Sequence, residues 1–334
     1  LAIDLEYLMK LAIDRAWYYQ GLTYPNPAVG ALVLYGGEIV AIEAHQRAGS
    51  SHAEILALLS AYESISGQKI EFDRFDSFKA HDFLINLPDR FFEEATIFVT
   101  LEPCNHSGKT PSCASLLETL RVQKVVIAID DPISGHGGGA SRLEDIGIEV
   151  VKGVCKDRAR ELIEPFMIWQ SRAFVLFKLA QTTNGRIGGG YLSSKESLIH
   201  VHQMRAVCDT LLIGGNTVRV DRPRLDCRYI DSKKAPNIKI YSQRDDFDKT
   251  IALFGVESRD IEVIDSLEFL KKPSFVIVEG GDGMLKAIQD KIDWLLIYQT
   301  PKLSISSQSY SIDRDLNFLH IDRRGVDILI WQKF

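Results

Sequence analysis

Apolar residues at Leu5, Leu8, Met9, Ala12, Ile13 and Ala16 recur at helical spacing and predict an amphipathic helix near the start of the chain. A turn-rich stretch, TYPNPAVG, follows. ALVLYGGEIVAIEA then sets two apolar runs on either side of Gly36-Gly37, the pattern of a β-hairpin. SHAEILALLSAYESI predicts a second helix, with Ser51 as its N-cap. Residues 66–94 keep no period. They are charged and aromatic, and are expected to form an inserted surface excursion peripheral to any chemistry, since long surface insertions are tolerated. Beyond them the pattern predicts a buried strand (ATIFVTLEP), a helix (TPSCASLLETLRV), a strand (KVVIAIDDP), a glycine loop, a short helix ending at Gly147, and a strand (GIEVVKGV). Strands alternating with helices indicate layered α/β architecture.

The character of the chain breaks between Val154 and Phe174. After the break, FVLFKLAQTTNGRIGGG starts a strand, ESLIHVHQMRAVC a helix, and DTLLIGG and PNIKIYS two further strands. PSFVIVEGGDGMLKAIQDK reads as strand, glycine turn and helix, and IDWLLIYQTPKL as another strand. Two domains are therefore expected: 1–153, with an insertion near 60–94, and 154–334. There is no internal repeat or low-complexity linker.

The composition is that of a globular protein, with 46% hydrophobic and 25% charged residues in 334. A formal charge of −6 argues against a nucleic-acid partner, which usually meets a basic patch. No apolar run approaches the roughly 20 residues of a membrane span. The first twenty residues carry acids and read as neither a signal nor a transit peptide. Five cysteines, an odd number without a secreted framework, predict reduced thiols in a cytoplasmic protein.

Two of those thiols lie in LEPCNHSGKTPSC, as Cys104 and Cys113, nine positions apart. His52, in the motif HAE, offers a third ligand, and Glu54 follows two positions later. Catalytic zinc takes three protein ligands and leaves a fourth position for water, so this set points to a hydrolytic zinc site with an adjacent acid–base. A structural zinc knot would need a fourth ligand, and none is evident. Buried thiols without a metal are the other alternative.

HAE followed by PC and a later cysteine resembles the cytidine-deaminase-like superfamily, which activates a water on zinc and moves protons with the glutamate. The longer form PCNHSGKTPSC, together with NPAVG and HQRAGSSHAE, is similar to the deaminase of riboflavin biosynthesis. KLAQTTNGRI, MRAVCDTLLIGGNTVRVDRPRLDCR and VEGGDGML resemble the reductase domain fused to that deaminase. The resemblance spans nearly the whole chain apart from 60–94. It implies an α/β protein: a cytidine-deaminase-like three-layer domain followed by a dihydrofolate-reductase-like α/β domain.

By the same resemblance, one zinc sits on His52, Cys104 and Cys113, Glu54 is catalytic, and Asn26, His45, His106, Lys109 and Thr110 bind a phosphorylated diaminopyrimidine. NADPH meets Ala180, Tyr191, Thr217, Asp221, Gly281, Asp282 and Gly283. Arg205, Leu225, Arg228 and Glu279 meet the second substrate, with the two arginines gripping phosphate. A homodimer or homotetramer is implied. His136 reads as a solvated loop residue. This chain departs from the family pattern at Asn184-Gly185, where the family has Asp-Gly, and at Arg222, where an aspartate is common. The loop RIGGGYLSS is short, with Tyr191 near the place of a family tryptophan. That loop leaves open a deaminase whose second domain is a weak or inactive reductase. A non-catalytic zinc scaffold and a nucleic-acid-editing deaminase are the remaining alternatives. The acidic balance opposes the editing deaminase, and Glu54 opposes the scaffold.

Overall fold

The computed structural model describes residues 4–334 except 107–109, 134, 136, 189–191 and 233. It divides into two compact units, 1–167 and 168–334.

The first unit is built on a five-stranded sheet of β1 (Gly30–Tyr35), β2 (Glu38–Ala44), β3 (Ala95–Val99), β4 (Lys124–Ile127) and β5 (Glu149–Lys152), ordered β2-β1-β3-β4-β5. The β1–β2 hairpin turns at Gly36 and Gly37, both at positive φ, as the two-residue turn requires. β1 runs antiparallel to β3, while β3, β4 and β5 are parallel. Side chains alternate between sheet faces. Ala31, Val33, Ile97, Val99, Val125 and Ile127 join one apolar cluster with residues of α2 (Ala53–Ser66), α3 (Ser77–Ile85), α4 (Cys113–Leu120) and α5 (Gly139–Asp145). The alternate residues Leu32, Leu34, Phe98 and Val126 are equally buried, on the side where α1 (Leu5–Trp17) packs. Both faces are thus covered, and the layers number three. Gly30 is required at the α1 crossing, because a Cβ there would lie 1.9 Å from the Ala12 carbonyl oxygen.

Two expectations are corrected in this unit. Ser51 does not cap α2. The cap position is His52, with no side-chain cap bond, and the Ser51 hydroxyl donates instead to the Arg74 carbonyl at 2.7 Å. Nor is the 66–94 segment a surface excursion. It contains α3, whose Ala80 and Leu84 are fully buried in the core with Phe92, while Phe72, Phe83 and Phe91 pack against it. Among the aromatic residues that break the periodicity, Phe92 is a core residue delivered by irregular backbone, while Phe78 is exposed. A further helix, α6 (Lys156–Trp169), occupies the stretch read as a break in character, and the boundary between the units falls near its end.

The second unit has an eight-stranded sheet ordered β12-β13-β11-β6-β10-β7-β8-β9. Its strands are β6 (Ala173–Thr182), β7 (Thr210–Gly214), β8 (Asn237–Tyr241), β9 (Ile261–Ile264), β10 (Ser274–Glu279), β11 (Trp294–Thr300), β12 (Asn317–Arg324) and β13 (Asp327–Lys333). β6 to β11 are mutually parallel, and β12–β13 adds an antiparallel hairpin at one edge. Near-continuous apolar runs in β6, β7, β10 and β11 fit strands buried on both faces. Val175, Phe177, Val276, Val278, Leu295 and Ile297 form one core with α9 (Asp282–Ile288). The opposite face carries Phe174, Leu176, Phe275, Ile277 and Trp294, all buried. Hydrogen bonds tie that face to α7 (Lys195–Val207), from His200 to Tyr298 and from Arg205 to Glu279.

Candidate active sites

Cys104 and Cys113 are brought together by the start of α4. Its N-cap Ser112 accepts from the Ser115 amide and donates its hydroxyl to the Cys104 carbonyl at 2.9 Å. The Cys113 amide, at the first helical position, donates to Cys104 Sγ at 3.3 Å. A thiolate is favoured there, because it accepts from a helix-terminal N–H. His52, entering α2, turns Nδ1 toward both sulfurs, 3.6 Å from Cys104 and 3.4 Å from Cys113. All three donor atoms lie within 4.8 Å of one another. Zinc, at about 2.3 Å from sulfur and about 2.0 Å from nitrogen, sets tetrahedral N and S donors about 3.5 Å apart, so the set fits the ion. Thr110 Oγ1 lies 3.2 Å from His52 Nε2 and accepts its hydrogen, leaving the Nδ1 lone pair for a metal. The two thiols form a hydrogen-bonded pair with the proton on Cys113. The hydrogen bond from Cys113 pulls Cys104 down to about 4, and Cys113 is pushed well up by the same pairing. A cation replaces that proton.

Glu54, in the first turn of α2, is 4% exposed. Burial pushes its carboxyl up, against the opposing pull of His52. It lines a cavity of about 480 Å³ together with Asn26, His45, His52, Cys104, His106 and Thr110. His45 is held neutral, its pKa lowered to about 4 by burial and by His52. Its Nδ1 donates to the Ser51 carbonyl at 3.1 Å, so its Nε2 accepts from the Asn26 amide nitrogen, also at 3.1 Å. Lys109 lies outside the described residues, as do Tyr191 and His136.

One residue on this wall escaped the sequence reading. Glu102, two positions before Cys104, accepts from the amides of Asp131, Gly138 and Ala140 at 3.0–3.1 Å. It pins the glycine loop beside the metal ligands. An acid at the end of a buried strand was the available signal.

In the second unit the named residues gather at the C-terminal ends of the parallel strands, where open α/β sheets bind ligands. Ala180 lies on β6, Glu279 ends β10, and Thr217 and Asp221 belong to α8 (Gly215–Asp221), which follows β7. A Cβ on Gly283 would meet nothing within 4 Å, and one on Gly281 only Ile187 Cδ1 at 4.0 Å. That open first turn of α9 fits the backbone approach of a dinucleotide. The Asp282 carboxylate is already engaged, by the Ser311 amide and hydroxyl and by Lys286.

Arg205 is buried. Its Nε and Nη2 donate to the two oxygens of Glu279 at 2.8 Å each, and Nη1 donates to the Asp226 carbonyl. Lys178, missed in the sequence, reaches the same carboxylate at 3.4 Å from the paired position on β6. A lysine inside an apolar strand was its signal. Burial pushes Glu279 up, but Arg205 and Lys178 outweigh it and draw it down to about 2. Arg228 is more open at 39% exposure and pairs with Asp226 at 2.6 Å, while Leu225 is buried at positive φ.

A partly buried His-Cys-Cys cluster with a buried glutamate, followed by a mainly parallel sheet with an open glycine turn, defines a zinc-dependent deaminase joined to a nucleotide-dependent reductase. The model for the cytidine and deoxycytidylate deaminase zinc-binding region matches residues 3–129, and that for the RibD C-terminal domain matches 173–304. Riboflavin biosynthesis protein RibD of Mycobacterium tuberculosis is 30% identical over 320 residues, 90% of this chain and 86% of that protein. The RibD of Aquifex aeolicus is 37% identical over 242 residues, 70% of this chain but 60% of that protein. The solved Thermotoga maritima diaminohydroxyphosphoribosylaminopyrimidine deaminase/5-amino-6-(5-phosphoribosylamino)uracil reductase is 26% identical, with a TM-score of 0.65 over 98% of both chains. The chain belongs to the RibD family, the bifunctional deaminase–reductases of riboflavin biosynthesis. Zinc and NADPH are the cofactors of its two units. Among the described residues no helix is long and apolar enough to cross a membrane.

Proposed function

We propose that the first unit deaminates 2,5-diamino-6-(5-phosphoribosylamino)pyrimidin-4(3H)-one and that the second reduces the ribosyl side chain of the product to ribityl. His52, Cys104 and Cys113 hold zinc, which when bound polarises a water and lowers its pKa toward neutrality. With zinc bound, Glu54 would pass one proton of the water to the ring nitrogen as hydroxide adds to the amino-bearing carbon, and then carry the second, from the new hydroxyl, to the amino nitrogen that leaves as ammonia. Its burial raises its basicity to suit both transfers. Asn26, oriented by neutral His45, presents its amide to the pyrimidine edge, and His106, Lys109 and Thr110 supply donors to the phosphate. The observation that carries this reading is the buried glutamate lining one cavity with His52 and Cys104, whose donor atoms converge with that of Cys113.

In the second unit Ala180, Tyr191, Thr217, Asp221 and the Gly281–Gly283 turn bind NADPH, which supplies the hydride. Glu279, fixed by Arg205 and Lys178, faces the ribose chain beside Leu225, and Arg228, with Arg205 behind it, holds the phosphate. A coupled assay tests both halves: ammonia release from the diaminopyrimidine, then NADPH oxidation that depends on it. A specific observation favours the alternative of a slow reductase. The start of the short loop after β6 is fastened down, with the Ile187 amide donating to the Gln308 carbonyl and the Ser309 hydroxyl to the Gly185 carbonyl. Normal ammonia release without NADPH oxidation identifies that case. The free thiols in a metal cluster support a cytoplasmic, reducing location. Sedimentation tests the expected homodimer or homotetramer.

A further inference from the structure

The 66–94 segment does more than fill core space. Its 73–76 turn reaches the loop 45–52, which carries both His45 and His52. We propose that this turn positions the first active site and that Ser51 is the positioning residue through which it acts; the inference rests on the deaminase reading above.

Ser51 is fully buried, and its three polar groups all have partners. Its amide donates to the Phe75 carbonyl at 3.2 Å, and its hydroxyl donates to the Arg74 carbonyl at 2.7 Å. Its own carbonyl accepts from His45 Nδ1, whose ring in turn accepts from Asn26. A single chain of hydrogen bonds therefore runs from the turn to the cavity wall, and each donor and acceptor in it has one possible direction. The tautomer and tilt of His45, and through it the amide of Asn26, are set from outside the cavity.

Two arginine side chains fasten the turn itself. Arg74 donates to Glu63 at 2.8 Å and to Ser60 at 3.2 Å, both on α2, and lies 3.7 Å from Glu43 on β2. The Arg47 guanidinium lies over the Phe75 ring at 4.9 Å. The turn is thus tied to the helix that begins after His52 and to the strand that ends before His45. No regular structure holds that loop, and His52 has no side-chain cap.

The test uses the full zinc-loaded chain with Ser51→Ala, Arg74→Ala and Arg74→Lys. Ammonia release is measured across substrate concentration, and histidine 15N NMR follows the Nδ1 proton of His45. Misplacement of a binding group by about 1 Å can cost roughly 10²-fold. Both alanine variants are expected to keep one zinc per chain and to raise KM about tenfold or more, with a smaller change in kcat and faster exchange of the His45 proton. Arg74→Lys, which keeps a cation for Glu63, recovers most of the KM. If Ser51→Ala does not fold, Arg74→Ala carries the test, since that side chain is partly solvent-exposed. KM within twofold of the parent and an equally protected His45 proton in the alanine variants overturn the proposal. So does a fall in melting temperature with KM unchanged, which marks a merely structural role. A parent chain that binds zinc but releases no ammonia refutes the deaminase reading instead, and the NMR arm still decides the positioning claim.

Discussion

Glu279→Gln isolates the buried charge cluster of the second unit. The change keeps the shape of the side chain and removes the negative charge that Arg205 and Lys178 share. A carboxyl drawn from its ordinary 4.5 to about 2 contributes about 3 kcal/mol of stability, at about 1.4 kcal/mol per tenfold change in proton equilibrium. Stranding a buried partner typically costs about 3–5 kcal/mol, the same range. Arg205 cannot shed its charge, whereas Lys178, already lowered by burial, can lose its proton and soften the loss. Because the folded pKa of Glu279 is depressed, its stabilisation is complete above about 4.5 and disappears as the pH falls from there toward 2. Urea unfolding followed by tryptophan fluorescence reads this well, since Trp169, Trp294 and Trp331 all lie in the second unit. The variant should lose about 3 kcal/mol at pH 7 and lack the part of the parent's acid-side decline that belongs to Glu279. Zinc content and ammonia release should be unchanged, and NADPH oxidation should be lost. A variant within about 1 kcal/mol of the parent at pH 7, with an identical acid profile, would refute the reasoning.

Freshly purified chain should contain one zinc, by elemental analysis, and Cys104→Ala should lose both metal and ammonia release. Glu54→Gln should keep the zinc but slow ammonia release by roughly 10²–10⁴-fold, because it removes a proton carrier and no ligand. Phe92→Ala should cost about 3–5 kcal/mol in urea unfolding, as expected for a fully buried ring; a loss below about 1 kcal/mol would restore the 66–94 segment to the periphery. Arg228→Ala should raise the substrate KM of the reductase step and leave NADPH binding, measured by fluorescence titration, nearly intact.

The elements carried by strong local signals were legible in the sequence. Helical spacing gave α1 and α7, the paired glycines gave the β1–β2 hairpin, and uninterrupted apolar runs gave β3, β4, β7, β10 and β11. The converging set of His52, Cys104 and Cys113 was legible too, because zinc chemistry restricts residue type so sharply that one histidine and two cysteines at this spacing leave few alternatives. What the sequence could not supply was the destination of side chains whose partners are remote. Phe92 looks like any aromatic in an aperiodic stretch, and its burial depends on how the 66–94 segment packs into the apolar core. Ser51 has the residue type of a cap, yet its hydroxyl goes to Arg74, twenty-three positions away. Arg205, read as a phosphate ligand, has its guanidinium paired with Glu279 across seventy-four positions, and Lys178 and Glu102 gain their meaning only from partners set by strand register and loop closure. Local periodicity and covalent chemistry are properties of the chain by itself. The pairing of buried charges and hydrogen bonds is decided only when packing excludes water and leaves each polar group a single partner within reach.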